Sequence, residues 1–358
     1  MVKKTFLGRL NRMTTFLVLA LSMIALFPMK GFTEEETLNF YVTPEFPKSQ
    51  VEGSESYFDV NLSPNENEML ALTLQNASDE AVKIAITSHT AYTNVNGIVE
   101  YGKNAEETDP SLIHSLDELI KNPETVELAG KETKTVTLQL KMPGEAFKGF
   151  LAGGLRISEL KEDTQEEKAE GEGLAIKNEF AYVIGVVVSN SRDAVQPDLA
   201  LLDVFPDQLN YRNVISATLQ NFTPTFVNRL EVEASVKRKG EDEVLYEASK
   251  EQMQMAPNSH FSFPISLNGE RFRSGDYVLN LTAVSGEEEW SWTEEFTIDT
   301  DQARSLNRED VTLINTTNWW LIAAFTLVLL LIILVVWLMN KNRKQKMIIK
   351  GGSISDEN

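Results

Sequence analysis

The chain has 358 residues, with 53 acidic and 33 basic side chains, three His and no Cys. At roughly 150 residues per domain, this length suggests about two domains plus accessory segments. Without Cys there is no disulfide framework, thiol nucleophile, zinc knuckle or iron–sulfur site. Residues 34–317 hold 51 acidic and 23 basic groups, a net of −28, and a body that acidic repels phosphate backbones, which argues against nucleic acid as a partner.

The first residues carry Lys3, Lys4, Arg9 and Arg12, followed by an uncharged run from Met13 to Phe27. A basic start and a short apolar run predict a secretory signal over 1–33, cleaved after Thr33. The run is too short for a comfortable membrane span. Strand-like segments follow, rich in β-branched and aromatic residues and separated by turn residues: Phe58–Leu62, Met69–Leu74 and Val82–Thr87. One helix is predicted next. Asp109 can cap it, Pro110 suits its first position, Leu112, Ile113, Leu116, Leu119 and Ile120 share a face, and Asn122-Pro123 ends it.

Strands resume at Thr135–Lys141, Phe150–Ser158 and Phe180–Ser189. Between the last two lies the acidic segment Glu159–Glu172, read as a solvated loop. It lacks the spaced Asp/Asn-Gly pattern of a calcium loop. A polar stretch at Asp193–Asp198 separates the halves. Strands then recur at Val214–Leu219, Leu230–Val236, His260–Leu267, Tyr277–Val284 and Trp292–Ile298. This spacing predicts an all-β chain with two tandem immunoglobulin-like sandwiches, over 34–193 and 194–300. Gly275-Asp276-Tyr277 has the form of a tyrosine corner.

The halves are internally related. Thr73-Leu74-Gln75-Asn76 recurs as Thr218-Leu219-Gln220-Asn221. Leu128-Ala129-Gly130 falls on Met255-Ala256-Pro257, and Val136–Leu140 on Phe263–Leu267. The two offsets differ, which places an insertion in the first half within 88–123.

Residues 301–318 read as a juxtamembrane spacer. Trp319–Met339 is then free of charge, long enough at ~1.5 Å per residue to cross a bilayer core of about 30 Å. Trp319, Trp320 and Trp337 lie near its edges, and Lys341, Arg343, Lys344, Lys346 and Lys350 follow it. Positive residues stay inside, so the expectation is a single-pass membrane protein with a cytoplasmic tail, 340–358, and its body outside facing the wall. No Cys follows the signal and no sortase-type motif precedes the span, so the helix itself is the expected anchor.

Within the insertion, Asn96-Gly97 suits a two-residue hairpin turn. That turn would pair Tyr92 with Tyr101 and put Tyr92, Asn94, Val99 and Tyr101 on one face. Two roles fit: a cross-strand pair packed against the 110–121 helix, or a ligand-binding patch of Tyr92, Asn94 and Tyr101, with aromatic faces and an amide suited to a glycan carrying amides. Catalytic patterns are missing. His89, His114 and His260 lack metal-ligand spacing, no nucleophile elbow or phosphate loop occurs, and no cofactor or metal is expected.

Several motifs carry a family resemblance. Phe40-x-Val42, Tyr57-Phe58-Asp59, Ala91-Tyr92-Thr93-Asn94 with Gly97 and Tyr101, and Met142-Pro143 with Phe147-x-Gly149 resemble the first domain of the WxL-interacting surface proteins of Gram-positive bacteria. Asn178-x-x-Ala181-Tyr182-Val183-Ile184-Gly185, Met255-Ala256-Pro257-Asn258-Ser259 and Gly275-x-Tyr277 resemble their second domain. Pro44–Gln50 is a looser version of the usual Pro-x-Asn-Gln segment. The resemblance implies a surface scaffold binding peptidoglycan through the first domain and a host protein through the second, with WxL-domain proteins as partners. An assembly factor or chaperone for exported WxL proteins, and a cell-wall hydrolase, are the alternatives.

Overall fold

The structure is a computed structural model that describes residues 39–121, 125–160, 180–313 and 319–351. The signal expected over 1–33, most of the acidic loop, Asn122-Pro123 and the end of the tail lie outside the described residues. The chain is all-β apart from three helices among the described residues.

In the first sandwich, β1 (Phe40–Glu45), β3 (Asn67–Asn76), β9 (Thr133–Lys141) and the short β7 (Ile120–Lys121) form one sheet in the order β1-β3-β9-β7. The facing sheet is β2-β11-β10-β4-β8, built from β2 (Phe58–Asn61), β11 (Ala181–Ser189), β10 (Leu151–Glu159), β4 (Val82–Thr90) and β8 (Val126–Leu128). Strand alternation sends Leu70, Leu72 and Leu74 inward against Ile84, Ile157, Val186 and Val188, all buried. Each such side chain contributes roughly 1.5–3 kcal/mol by leaving water.

The second sandwich repeats the plan. One sheet is β12 (Leu199–Leu209), β13 (Arg212–Asn221) and β16 (Ser259–Ser266). The other runs β15 (Val244–Met255), β14 (Val227–Arg238), β17 (Gly275–Ser285), β18 (Glu288–Ile298). The order β18-β17-β14-β15 corresponds to β11-β10-β4-β8, and β12-β13-β16 to β1-β3-β9. The sequence landmarks correspond atom by atom. Asn76 Nδ2 donates to the carbonyls of Glu80 (2.7 Å) and Ala129 (2.9 Å), while its Oδ1 accepts from the N–H and hydroxyl of Ser78. Asn221 Nδ2 donates to Thr225 (2.7 Å) and Ala256 (2.9 Å), and its Oδ1 accepts from the N–H and hydroxyl of Thr223. Tyr277 closes a tyrosine corner, its hydroxyl donating to the Arg273 carbonyl at 2.7 Å.

Three expectations change. The helix over 110–121 shrinks to α1 (Leu116–Leu119), followed at once by strand β7, and Ile113 is exposed rather than buried. Asp109 caps a turn instead, accepting from the Ser111 N–H and hydroxyl. The spacer expected over 301–318 begins as a helix, α2 (Thr300–Glu309), whose Ala303 is buried in the second core and whose Leu306 packs against it. The strands β12 and β15 were not anticipated, because Pro206, the acidic residues and the register shifts of β15 against β14 break their alternation.

Residues Trp319–Gly351 form one helix, α3. Its side chains are described at 320 and over 323–338, all exposed. Among the described residues, no helix is long and apolar enough to cross a membrane.

Candidate functional site

The insertion in the first sandwich lies against the second. Its hairpin, β5 (Tyr92–Thr93) and β6 (Val99–Glu100), pairs Tyr92 with Glu100 and Thr93 with Val99. Asn94 N–H donates to the Ile98 carbonyl at 2.9 Å, and Gly97, at φ +64°, closes a loop of three residues rather than two. The register therefore slips by one residue from the expected pairing, and a slip of one reverses faces. Tyr92 and Asn94 stay together, with Asn94 Nδ2 donating to Glu100 at 2.7 Å. Tyr101 moves to the opposite face with Ala91 and Val99.

That opposite face packs on the second domain. Ala91, Val99, Ala152 and Val187 cluster with Ala256, and Tyr101, Phe150 and Phe226 pack around them. Thr93 is buried, and its hydroxyl accepts from the Ala256 N–H and bonds the Ser259 hydroxyl at 2.7 Å. Backbone bonds join Gln254 N–H to the Gly97 carbonyl and Phe150 N–H to the Pro224 carbonyl, each 2.8 Å.

Asp109 lies deeper in the junction. Its carboxylate accepts from Gln220 Nε2 at 2.8 and 3.1 Å and from His260 Nδ1 at 2.8 Å, and its side chain is 2% exposed. Burial by itself would raise this carboxyl, but the bonds from His260, Ser111 and Gln220 outweigh it and hold the group at about 2. Asp109 in turn raises His260, against the opposing effect of burial. Asn258 Nδ2 adds bonds to the Ser111 carbonyl and hydroxyl, 3.1 Å each.

A polar groove opens beside these contacts. A cavity of about 250 Å³ lies between Thr90, Asn104 and Glu107 of the insertion and Asn258 and His260 of the second domain, with Tyr92 on its wall. A wider hollow of about 530 Å³ continues past Tyr92 and Asn94 to Lys103, Glu106 and Ser262. Lys103 Nζ stands 5.8 Å from the Tyr92 ring centre, and its hydrogen bond to that tyrosine raises its pKa. An aromatic face, an amide and charged tips line one recess, which suits hydrogen bonding to a polar, extended ligand.

Of the three residues proposed from sequence, Tyr92 and Asn94 reach this groove and Tyr101 does not. Sequence reasoning missed Asp109 and His260 as partners, since nothing in their separation of 151 residues signals contact. No nucleophile is hydrogen-bonded to the His260 ring among the described residues. No cluster of three His, Asp or Glu side chains there could hold a metal.

Two family descriptions match the chain in order. Residues 40–159 match the WxL Interacting Protein, peptidoglycan binding domain. Residues 171–308 match the WxL Interacting Protein, host binding domain. The second match takes in β11, which the fold places in the first sandwich, and nearly all of α2. No curated protein matches in sequence. Similar solved structures include a chain of a chaperone–tip adhesin complex of CFA/I fimbriae (12% identity, 72% of this chain and 98% of that one, TM-score 0.28). Another is the E. coli chaperone DraB (12%, 73% and 98%, TM-score 0.26). A PapD-like domain of human CEP192 is also similar (10%, 47% and 99%, TM-score 0.26). Matched across both sandwiches and in the order of its two domains, the chain belongs to the WxL-interacting protein family.

Proposed function

We propose that this chain is a non-enzymatic scaffold of the Gram-positive cell surface, made of two immunoglobulin-like sandwiches and anchored by the 319–339 helix with its basic tail inside. In this reading the first domain binds peptidoglycan, the second binds a host protein, and WxL-domain proteins assemble on the pair. The observation that carries it is the ordered match of a peptidoglycan-binding and a host-binding domain onto two sandwiches joined by a packed junction. The groove beside Tyr92 and Asn94, between the first domain's insertion and the second domain, supplies a polar recess for a glycan or its peptide.

The test is sedimentation of the full chain, in detergent, with purified peptidoglycan. Co-sedimentation that falls on Tyr92→Ala and Asn94→Ala supports the reading, and failure of the parent chain to sediment removes it. Co-purification of a WxL-domain protein from solubilised cells checks the partner. A zymogram that shows clearing of the wall would replace the scaffold by a hydrolase.

A further inference from the structure

The second sandwich has two ends with different neighbours. The first domain occupies the end that carries Gln220, Pro224 and Met253–His260. At the opposite end lie the turn 210–211, the loops 239–243 and 267–274, and α2. The chain leaves from this second end. Its exit is fixed: Asp310 is buried, accepts from the Asn213 N–H at 2.8 Å, and also takes the N–H and hydroxyl of Thr312. Val311 N–H donates to the Tyr211 carbonyl at 3.0 Å.

From Leu313 to Trp319 the chain has six peptide steps, at most about 20 Å when extended. Any layer that holds 319–339 therefore has its surface close to the 210–211 turn. Tyr211 is 69% exposed and Val311 68% exposed, side by side at that point. Arg212, Arg271 and Arg273 are exposed on the same end.

Tyr211 is held at φ +58°, after Asn210 at φ +51°. A two-residue hairpin turn needs positive φ at both positions, which Gly or Asn supplies at little cost. A bulky aromatic there is uncommon and strained. The turn's own stability does not account for an exposed aromatic ring in that conformation. An amphipathic ring at the height where a chain enters a bilayer matches the preference of Tyr for the headgroup layer.

We propose that Tyr211 and Val311 rest in the headgroup layer of the outer leaflet, so that the second domain stands directly on the bilayer and holds the first domain away from it. This rests on the anchoring of 319–339 proposed above. The occupant of the patch is the lipid surface that the same chain enters. A second copy of the chain is the competing occupant that the test excludes.

The absence of Cys makes the test simple. The full chain is reconstituted into vesicles of phosphatidylglycerol and phosphatidylcholine, with one environment-sensitive label at Arg212→Cys or, as a control at the far end, at Glu287→Cys. Vesicle flotation reports anchoring by itself. The expected result is flotation, quenching of the 212 label by a nitroxide placed at the headgroup, and none at 287. Adding Tyr211→Gly should lose the quenching at 212 while the domain melts no lower than the parent. A chain that floats with the 212 label unquenched overturns the proposal and leaves the anchor standing. A chain that does not float removes the anchor, and the proposal with it. Quenching at 212 unaltered by Tyr211→Gly, or a clear fall in melting temperature, would make Tyr211 structural and likewise overturn its role. Quenching of the 212 label in trans by a second copy that carries a nitroxide at Arg212→Cys, in detergent without lipid, would assign the patch to self-association instead.

Discussion

His260 of the second domain donates to Asp109 of the first across a distance of 2.8 Å, and this bond sits where the two sandwiches meet. The pair makes the junction depend on pH with a definite sign. Asp109 is depressed to about 2 from 3.8, so its contribution is complete above 3.8 and is lost as pH falls towards 2. His260 is raised above 6.5, so its contribution is complete below 6.5 and is lost as pH rises through the raised value. Docking should therefore be tightest between pH 3.8 and 6.5. Single-molecule distances between labels on the two domains, followed across pH, should broaden on both sides of that window. Asp109→Ala should flatten the profile and weaken docking by about 1–3 kcal/mol, because it leaves Gln220 and His260 without their acceptor.

The matched asparagines predict matched losses. Asn76→Ala and Asn221→Ala each strip a buried loop of donors to two or three carbonyls and an acceptor for two groups. Each should destabilise its own domain by roughly 2–4 kcal/mol. Denaturant unfolding with domain-specific probes checks this, and a large effect in one half alone would speak against equivalent roles.

Two glycines act at the junction. Gly149 lies at φ +70°, and a Cβ there would stand 2.0 Å from the Pro224 carbonyl oxygen. Gly97, at φ +64°, would place a Cβ 2.5 Å from Met253 Sδ. Backbone yields less than a thioether, so Gly149→Ala should undock the domains while Gly97→Ala is absorbed in part by the Met253 side chain. Limited proteolysis of the 190–198 segment, faster in the first variant than in the second, is the expected outcome.

The slipped hairpin separates two tyrosines that the sequence had paired. Tyr92→Ala should reduce peptidoglycan sedimentation with an unchanged melting temperature. Tyr101→Ala removes a ring packed in the junction cluster and should lower the melting temperature, at a cost of roughly 1–3 kcal/mol. The reverse pattern would assign wall binding to the junction face.

The extent of the second domain is testable by truncation. A fragment over 196–300 lacks α2 and the Asp310 anchor, whereas 196–313 keeps both. Gln208 Nε2 donates to the Leu306 carbonyl at 2.7 Å and Asn213 Nδ2 to Asn307 at 3.0 Å. The longer fragment should therefore melt well above the shorter one.

What the sequence by itself determined is what rests on local pattern. Period-two runs named most of the strands, the Thr-Leu-Gln-Asn repeat located the same loop in both halves, and Gly275-Asp276-Tyr277 foretold a corner hydrogen bond. The motif order foretold the family. What only the tertiary structure decided is what depends on distant partners. The apolar positions 112–120 fit a helix by spacing, yet Ile120 and Lys121 pair with Leu140 and Gln139 of β9, and a sheet edge overrides a short helix's weak propensity. Asn96-Gly97 fits a two-residue turn, yet Gln254 captures the Gly97 carbonyl and Met253 packs on that glycine, so the loop takes a third residue and turns Tyr101 inward. Asp109 and His260 carry no mark of each other in the chain. They became partners because the insertion of one sandwich folds onto the end of the next, where a buried carboxylate is stable only with the donors that a second domain brings.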